Sequence, residues 1–167
     1  MESRYEFDRA TILSAHAVGA PGKRTFFVAI GQGEEWVRIW LEKQDLQALA
    51  LFILQLLVSV SGAETTGSGE TEGLQEPGDP ASKLPSAELE IDEITLGYAD
   101  GRASLEVGAH GLGRHKSERV ELRSLVGPAP LRAFAERSLD LCAAGRPRCI
   151  LCGGPMDPAG HVCPVNN

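Results

Sequence analysis

Thr25-Phe26-Phe27-Val28-Ala29-Ile30-Gly31-Gln32-Gly33-Glu34-Glu35-Trp36-Val37-Arg38-Ile39-Trp40-Leu41 is the stretch on which the fold turns. Thr25–Ile30 is rich in β-branched and aromatic residues, as a half-buried strand requires. Gly31-Gln32-Gly33 supplies a tight reversal, because glycine accepts the positive φ that such turns need. On the far side Val37, Ile39 and Leu41 fall on one face of a second strand, and Trp36, Arg38 and Trp40 fall on the other. Two adjacent strands with an apolar face imply antiparallel sheet.

Outward from this hairpin the same logic extends in both directions. Thr11–Val18 has the content of a strand and is separated from Thr25 by Gly19-Ala20-Pro21-Gly22, a strong turn signal. After Leu41, apolar residues at 46, 49, 50, 53, 54, 57 and 58 recur at helical spacing and predict a helix over 43–60. Leu51, Phe52 and Leu56 widen its apolar surface, so the helix is either central to the core or meets a partner on its second side. Residues 62–86 read GAETTGSGETEGLQEPGDPASKLPS, with no period and little apolar content, the composition of a flexible acidic linker.

Beyond it the order repeats. Leu89–Tyr98 reads as a strand whose alternation slips at Asp92-Glu93, as a bulge would cause. Asp100-Gly101 is a type I′ hairpin signal. Ala103–Ala109 and Arg119–Arg123 complete a second set of three strands. Pro128 and Pro130 open a second helix whose apolar face carries Leu131, Phe134, Ala135, Leu139 and Cys142, and Gly145 ends it. The predicted class is α+β: two pseudo-repeated βββα halves forming an antiparallel sheet with helices on one face. The domain covers 1–145, interrupted at 62–86, and a zinc-knuckle-like tail occupies 146–167.

That tail carries the chemistry. Three of the four cysteines lie within it, Cys149 and Cys152 in CxxC spacing, with His161 and Cys163 one residue apart. Positions two apart in an extended segment point the same way, so each pair can reach one ion. Cys149, Cys152, His161 and Cys163 make a Cys₃His set suited to tetrahedral zinc, with no open position, so the expected role is structural. Cys142 is an alternative fourth ligand, but it falls on the apolar face of a helix, where a buried thiol is the simpler reading. Thiol–disulfide exchange needs a thiolate stabilised by a helix N-terminus or a cation. Gly153-Gly154-Pro155 is a poor helix start, and exchange leaves His161 and Cys163 unexplained.

At these residues a resemblance enters. Arg146-Pro147, Cys149, Cys152-Gly153, Pro155, Asp157-Pro158, Gly160-His161 and Cys163-Pro164 resemble the C-terminal signature of a bacterial family known only as a domain of unknown function. Gly22–Phe27, Leu41-Glu42-Lys43 and Ala143–Pro147 are similar to it as well, so the likeness covers nearly the whole chain. It implies a fold unit with a metal tail and implies no reaction.

Composition narrows the classes of function. The 167 residues are 43% apolar and 23% charged, with a net charge of -7, which disfavours a globally basic nucleic-acid binder. Clustered thiols point to metal binding in a reducing compartment, and the N-terminus shows no signal-peptide pattern, so the expectation is a cytoplasmic protein without a membrane span. Gln47 and Gln55 interrupt the longest apolar run. The glycine-containing loop with Arg114 and Lys116 is a candidate anion site through its backbone N–H groups, and Lys23 with Arg24 form a comparable basic turn that would join it if both share an end of the sheet. Trp36 and Trp40, flanking Arg38, are candidate partner contacts. No arrangement of nucleophile, histidine and carboxylate is recognisable. The leading expectation is a zinc-binding, non-enzymatic module for a protein partner, with homodimerisation open. A nucleic-acid-binding accessory protein and an enzyme acting on a small anionic substrate stand as alternatives.

Overall fold

In a computed structural model, which describes residues 3–20, 22–61, 84–144, 149–153, 156 and 160–165, the chain is a seven-stranded sheet with two helices. The strands are β1 (Ser3–Phe7), β2 (Ile12–Val18), β3 (Thr25–Gln32), β4 (Glu35–Leu41), β5 (Ala87–Ala99), β6 (Arg102–Gly111) and β7 (Arg119–Val126). The helices are α1 (Lys43–Ser61), between β4 and β5, and α2 (Pro128–Ala143), after β7. Most of the linker read at 62–86, and the helix-ending Gly145, lie outside the described residues.

Strand order across the sheet is β1-β7-β6-β5-β4-β3-β2. The hairpin-linked neighbours are antiparallel, as local turn signals imply. Two pairs are not: β4 runs parallel to β5, and β1 runs parallel to β7. The sheet is therefore mixed rather than antiparallel. The parallel β4–β5 pair follows from a connection through α1, since parallel neighbours need a crossover. The expected six strands are joined by a seventh, β1, whose five residues have only Phe7 buried.

Local chemistry explains the details. Asp100 (φ 54°) and Gly101 (φ 74°) both adopt left-handed conformations between the paired residues Ala99 and Arg102, as a type I′ hairpin demands. The β5–β6 register shifts between Ile91 and Glu93, leaving Asp92 as the extra residue of a bulge. That shift keeps Leu89, Ile91, Ile94 and Leu96 on the core side despite two consecutive acidic residues.

Cross-strand register sorts the side chains into two faces. The rows Leu13–Ile30–Val37, Ala15–Val28–Ile39–Leu89 and Val107–Leu122 share one face. They join Leu46, Leu49, Ala50, Ile53 and Leu57 of α1 and Leu131, Phe134, Ala135 and Cys142 of α2 in one apolar cluster. Both helices thus pack into the same face. The Cys142 thiol lies 3.8 Å from the Lys43 carbonyl oxygen, so the end of α2 meets the start of α1.

The edges of this sheet are tied together. Ala10 donates its N–H to the Leu125 carbonyl on β7, and Thr11, the next residue, donates to the Gly31 carbonyl on β3. The Gly33 N–H returns to Thr11 Oγ1 at 2.8 Å. Consecutive residues therefore hold strands from opposite sides of the sheet.

Helix α1 is central to the core, and part of its apolar surface faces outward. Five of its side chains are in the core, while Leu51, Phe52 and Val58 are exposed. Residues 43–60 are long and apolar enough to cross a membrane, but this stretch contributes Leu46, Ala50 and Ile53 to the core at 0% exposure. Ile53→Ala should cost about 2–5 kcal/mol of stability, because it leaves a cavity between helix and sheet. Phe52→Ala, at a 63% exposed position, should stay within about 0.5 kcal/mol. Urea denaturation of the two variants checks the contrast.

Candidate metal centre

The final segment begins with a turn built on its own backbone. The Gly153 N–H donates to the Cys149 carbonyl at 2.9 Å, closing one helical turn over Cys149-Ile150-Leu151-Cys152. Gly153 ends it with φ of 70°, a conformation costly for any residue with a Cβ. The turn brings Cys149 and Cys152 to the same side. Gly160 adopts φ of 122°, and His161 and Cys163, just after it, bring their ligand atoms close to those of Cys149 and Cys152.

The four ligand atoms all lie within 4.8 Å of one another. Cys149 Sγ is 3.9 Å from Cys163 Sγ, and Cys152 Sγ is 3.3 Å from His161 Nε2. Around a tetrahedral ion with metal–sulfur bonds of about 2.3 Å and a metal–nitrogen bond of about 2.0–2.1 Å, the corresponding edges are roughly 3.8 and 3.6 Å. The observed separations fall close to those edges. All four cysteines of the chain are free thiols, so the pairs are not occupied in disulfides. The group could hold one metal ion.

Electrostatics favour the same outcome. The backbone N–H groups of Cys152 and, next, Leu151 point at the Cys149 sulfur and lower its pKa from the ordinary thiol value to about 6, against the opposing effect of burial. A thiolate is the form that binds metal. Cys142 behaves oppositely: burial raises its pKa, with Lys43 as a smaller opposing influence. It lies in the core cluster and is not one of the four grouped ligands, in keeping with the reading of a structural thiol.

The remaining candidate residues are not brought together in the way the sequence suggested. Strand directions place the β2–β3 turn, with Lys23 and Arg24, at the end of the sheet where β4 and β5 finish. The connection carrying Arg114 and Lys116, around a short 3₁₀ turn at Gly113–His115, lies at the opposite end, where β5 begins. One anion cannot bridge the two turns.

Trp36 and Trp40 do share a face with Arg38, but Trp36 is buried at 1% exposure and Trp40 is half-buried. Gly31 lies directly opposite Trp36, and a Cβ there would collide with the Trp36 side chain. The Arg38 guanidinium sits 4.9 Å from the Phe27 ring centre, 5.4 Å from Trp36 and 5.7 Å from Trp40. It also donates to Glu88 at 2.7 Å. His16 stacks on Phe27 at 4.8 Å, and Ser14 Oγ lies 2.8 Å from His16 Nε2. The aromatic face is thus engaged within the molecule. Sequence spacing could show which residues share that face, but not that Arg38 fills it.

A cluster the sequence reading did not anticipate lies beside it. His110 on β6 places Nδ1 2.8 Å from Asp92 and Nε2 3.5 Å from Glu90. The register shift at Asp92 was the available signal, since a bulge aims two successive side chains off the normal alternation.

In metal-stripped protein, alkylation at neutral pH should modify Cys149 first and Cys142 last. The Cys149 rate should fall as pH drops through about 6, where its thiolate takes up a proton. Mass-spectrometric mapping over a pH series checks both the order and the midpoint. Equal rates for Cys149 and Cys142 would contradict the electrostatics of the turn.

No curated protein and no solved structure matches the chain. Residues 5–163, from within β1 to the last cysteine ligand, match the family described as protein of unknown function (DUF3090), and the chain belongs to that family.

Proposed function

We propose that the protein is a non-enzymatic, zinc-stabilised interaction module of a reducing, cytoplasmic compartment, which docks a protein partner through its metal-ordered tail. The observation that carries this reading is the convergence of four ligand atoms from Cys149, Cys152, His161 and Cys163 within 4.8 Å. Three sulfurs and one imidazole favour zinc over hard cations, which prefer oxygen. Four protein ligands leave no place for substrate, so the ion's role is to fix the fold of the tail.

What the ion would fix is an apolar surface. Ile150 is 98% exposed, and Leu151, Val162 and Val165 are exposed beside the ligands. Exposed apolar side chains next to an ordered site suit a docking surface. Arg114 with Lys116 and Lys23 with Arg24 remain as separate basic turns that could favour an acidic partner or nucleic acid, and the net charge of -7 weighs against the latter. The same reading takes β2-β3-β4-α1 and β5-β6-β7-α2 as copies of one βββα unit, because each is three antiparallel strands followed by a helix, with β1 added outside the repeat.

Protein purified without chelator should hold one zinc per chain. Cys149→Ala should hold none, yet keep the circular dichroism of the sheet and helices, since the core cluster consists of residues from β1 to α2. Zinc retained by the variant, or its global unfolding, would contradict a separate structural tail. Ile150→Asp with Val162→Asp should leave the zinc bound and abolish cross-linking to a partner that the parent captures. Undiminished capture would remove the tail as the docking surface. Salt-sensitive binding to DNA or RNA would favour the nucleic-acid reading, and turnover of a small substrate the enzymatic one.

A further inference from the structure

Strand β5 outlasts its neighbour. It pairs with β4 only through Ala87–Glu90, whereas its ladder with β6 continues to Ala99. Beyond Leu41 the chain leaves the sheet to form α1, so from Ile91 onward the β4 side of β5 has no ladder partner among the described residues. An open edge exposes backbone N–H and C=O groups ready for another strand.

The space beside that edge is a cleft of about 470 Å³. Asp45, Ala48, Leu49 and Phe52 of α1 form one wall, and residues 91–96 of β5 form the other. The walls are apolar in part, through Leu49, Phe52, Ile91, Ile94 and Leu96. Every charged residue lining the cleft is acidic: Asp45, Asp92 and Glu93. Phe52 is 63% exposed there, an apolar side chain held in water at the mouth of a cleft.

We propose that this cleft binds an extended, basic and apolar peptide segment of a partner, which adds a strand to the free edge of β5. The open edge supplies main-chain pairing, the apolar wall takes alternate side chains, and Glu93, with Asp45 and the His110-held Asp92 beside it, selects lysine or arginine at the positions between. Charge decides against the nearest competitors. A second copy would bring another β5 edge bearing Asp92 and Glu93 against the first. The chain's own segment 62–83 carries five acidic residues and one lysine, so it is the wrong sign for this cleft. The proposal involves no residue of the metal tail.

The test uses the full chain and a synthetic eight-residue peptide alternating lysine with valine, followed by isothermal titration. Saturable binding is expected, with at least a tenfold loss in the Phe52→Ser/Glu93→Lys double variant. Both positions lie outside the most deeply buried core, so circular dichroism of the variant should match the parent. N-methylation of alternate peptide amides should abolish binding, because it removes the ladder donors, and a glutamate–valine peptide should not bind. Absence of binding by the lysine–valine peptide would overturn the proposal and leave the bulge and carboxylates as protection of the edge. Binding that survives N-methylation would overturn strand addition. Sedimentation showing a dimer that Phe52→Ser dissociates would assign the cleft to a second copy and overturn it too.

Discussion

Four residues, Asp8 to Thr11, join β1 to β2, although these strands stand at opposite ends of the seven-strand order. A flat sheet would separate them by about 29 Å at the usual spacing of roughly 4.8 Å per strand. The chain from Phe7 to Ile12 can span no more than about 18 Å even fully extended. The sheet must therefore curl until its ends approach. The hydrogen bonds from Ala10 to β7 and from Thr11 to β3 are where the approach is made. This constraint gives the sheet an inside, and the inside is where both helices pack.

From that geometry the rest follows in order. Helix α1 enters the concave face directly from β4, burying Leu46, Ile53 and Leu57 and turning Phe52 outward. Its departure from the sheet uncovers the upper half of β5. Helix α2 returns to the start of α1, where the Cys142 thiol meets the Lys43 carbonyl, and the chain then continues toward the cysteine-rich tail. The tail contributes no side chain to the main apolar cluster among the described residues. A short segment with exposed Ile150 and Val162 has little burial to order it, and a metal ion held by the four grouped residues would supply what burial does not.

Much of this was legible in the residues. Alternation gave six strands, the β5 bulge at Asp92-Glu93 and the Asp100-Gly101 hairpin, because period and turn chemistry are local properties. The helices were legible for the same reason. The parallel pairs were not, since nothing in β4 or β5 alone says that a strand 46 residues later in sequence returns alongside it. Strand β1 escaped notice because Ser3-Arg4-Tyr5-Glu6-Phe7 is short and largely exposed, so its pattern carries little apolar signal. The four candidate ligands were readable from spacing, and the fold groups them closely enough that they could hold one ion. The aromatic face was read correctly as a face, but its filling by Arg38 depends on Phe27 from the neighbouring strand. The two basic turns are alike in sequence, but strand direction, which no local pattern carries, puts them at opposite ends of the sheet.

A single closed Cys₃His zinc centre is proposed to organise the tail. X-ray absorption at the zinc edge of the purified full chain measures the ligand shell itself. Three sulfurs at about 2.3 Å and one imidazole nitrogen at about 2.0–2.1 Å are expected, with no bound water. A shell with oxygen ligands, or with fewer than three sulfurs, would contradict it.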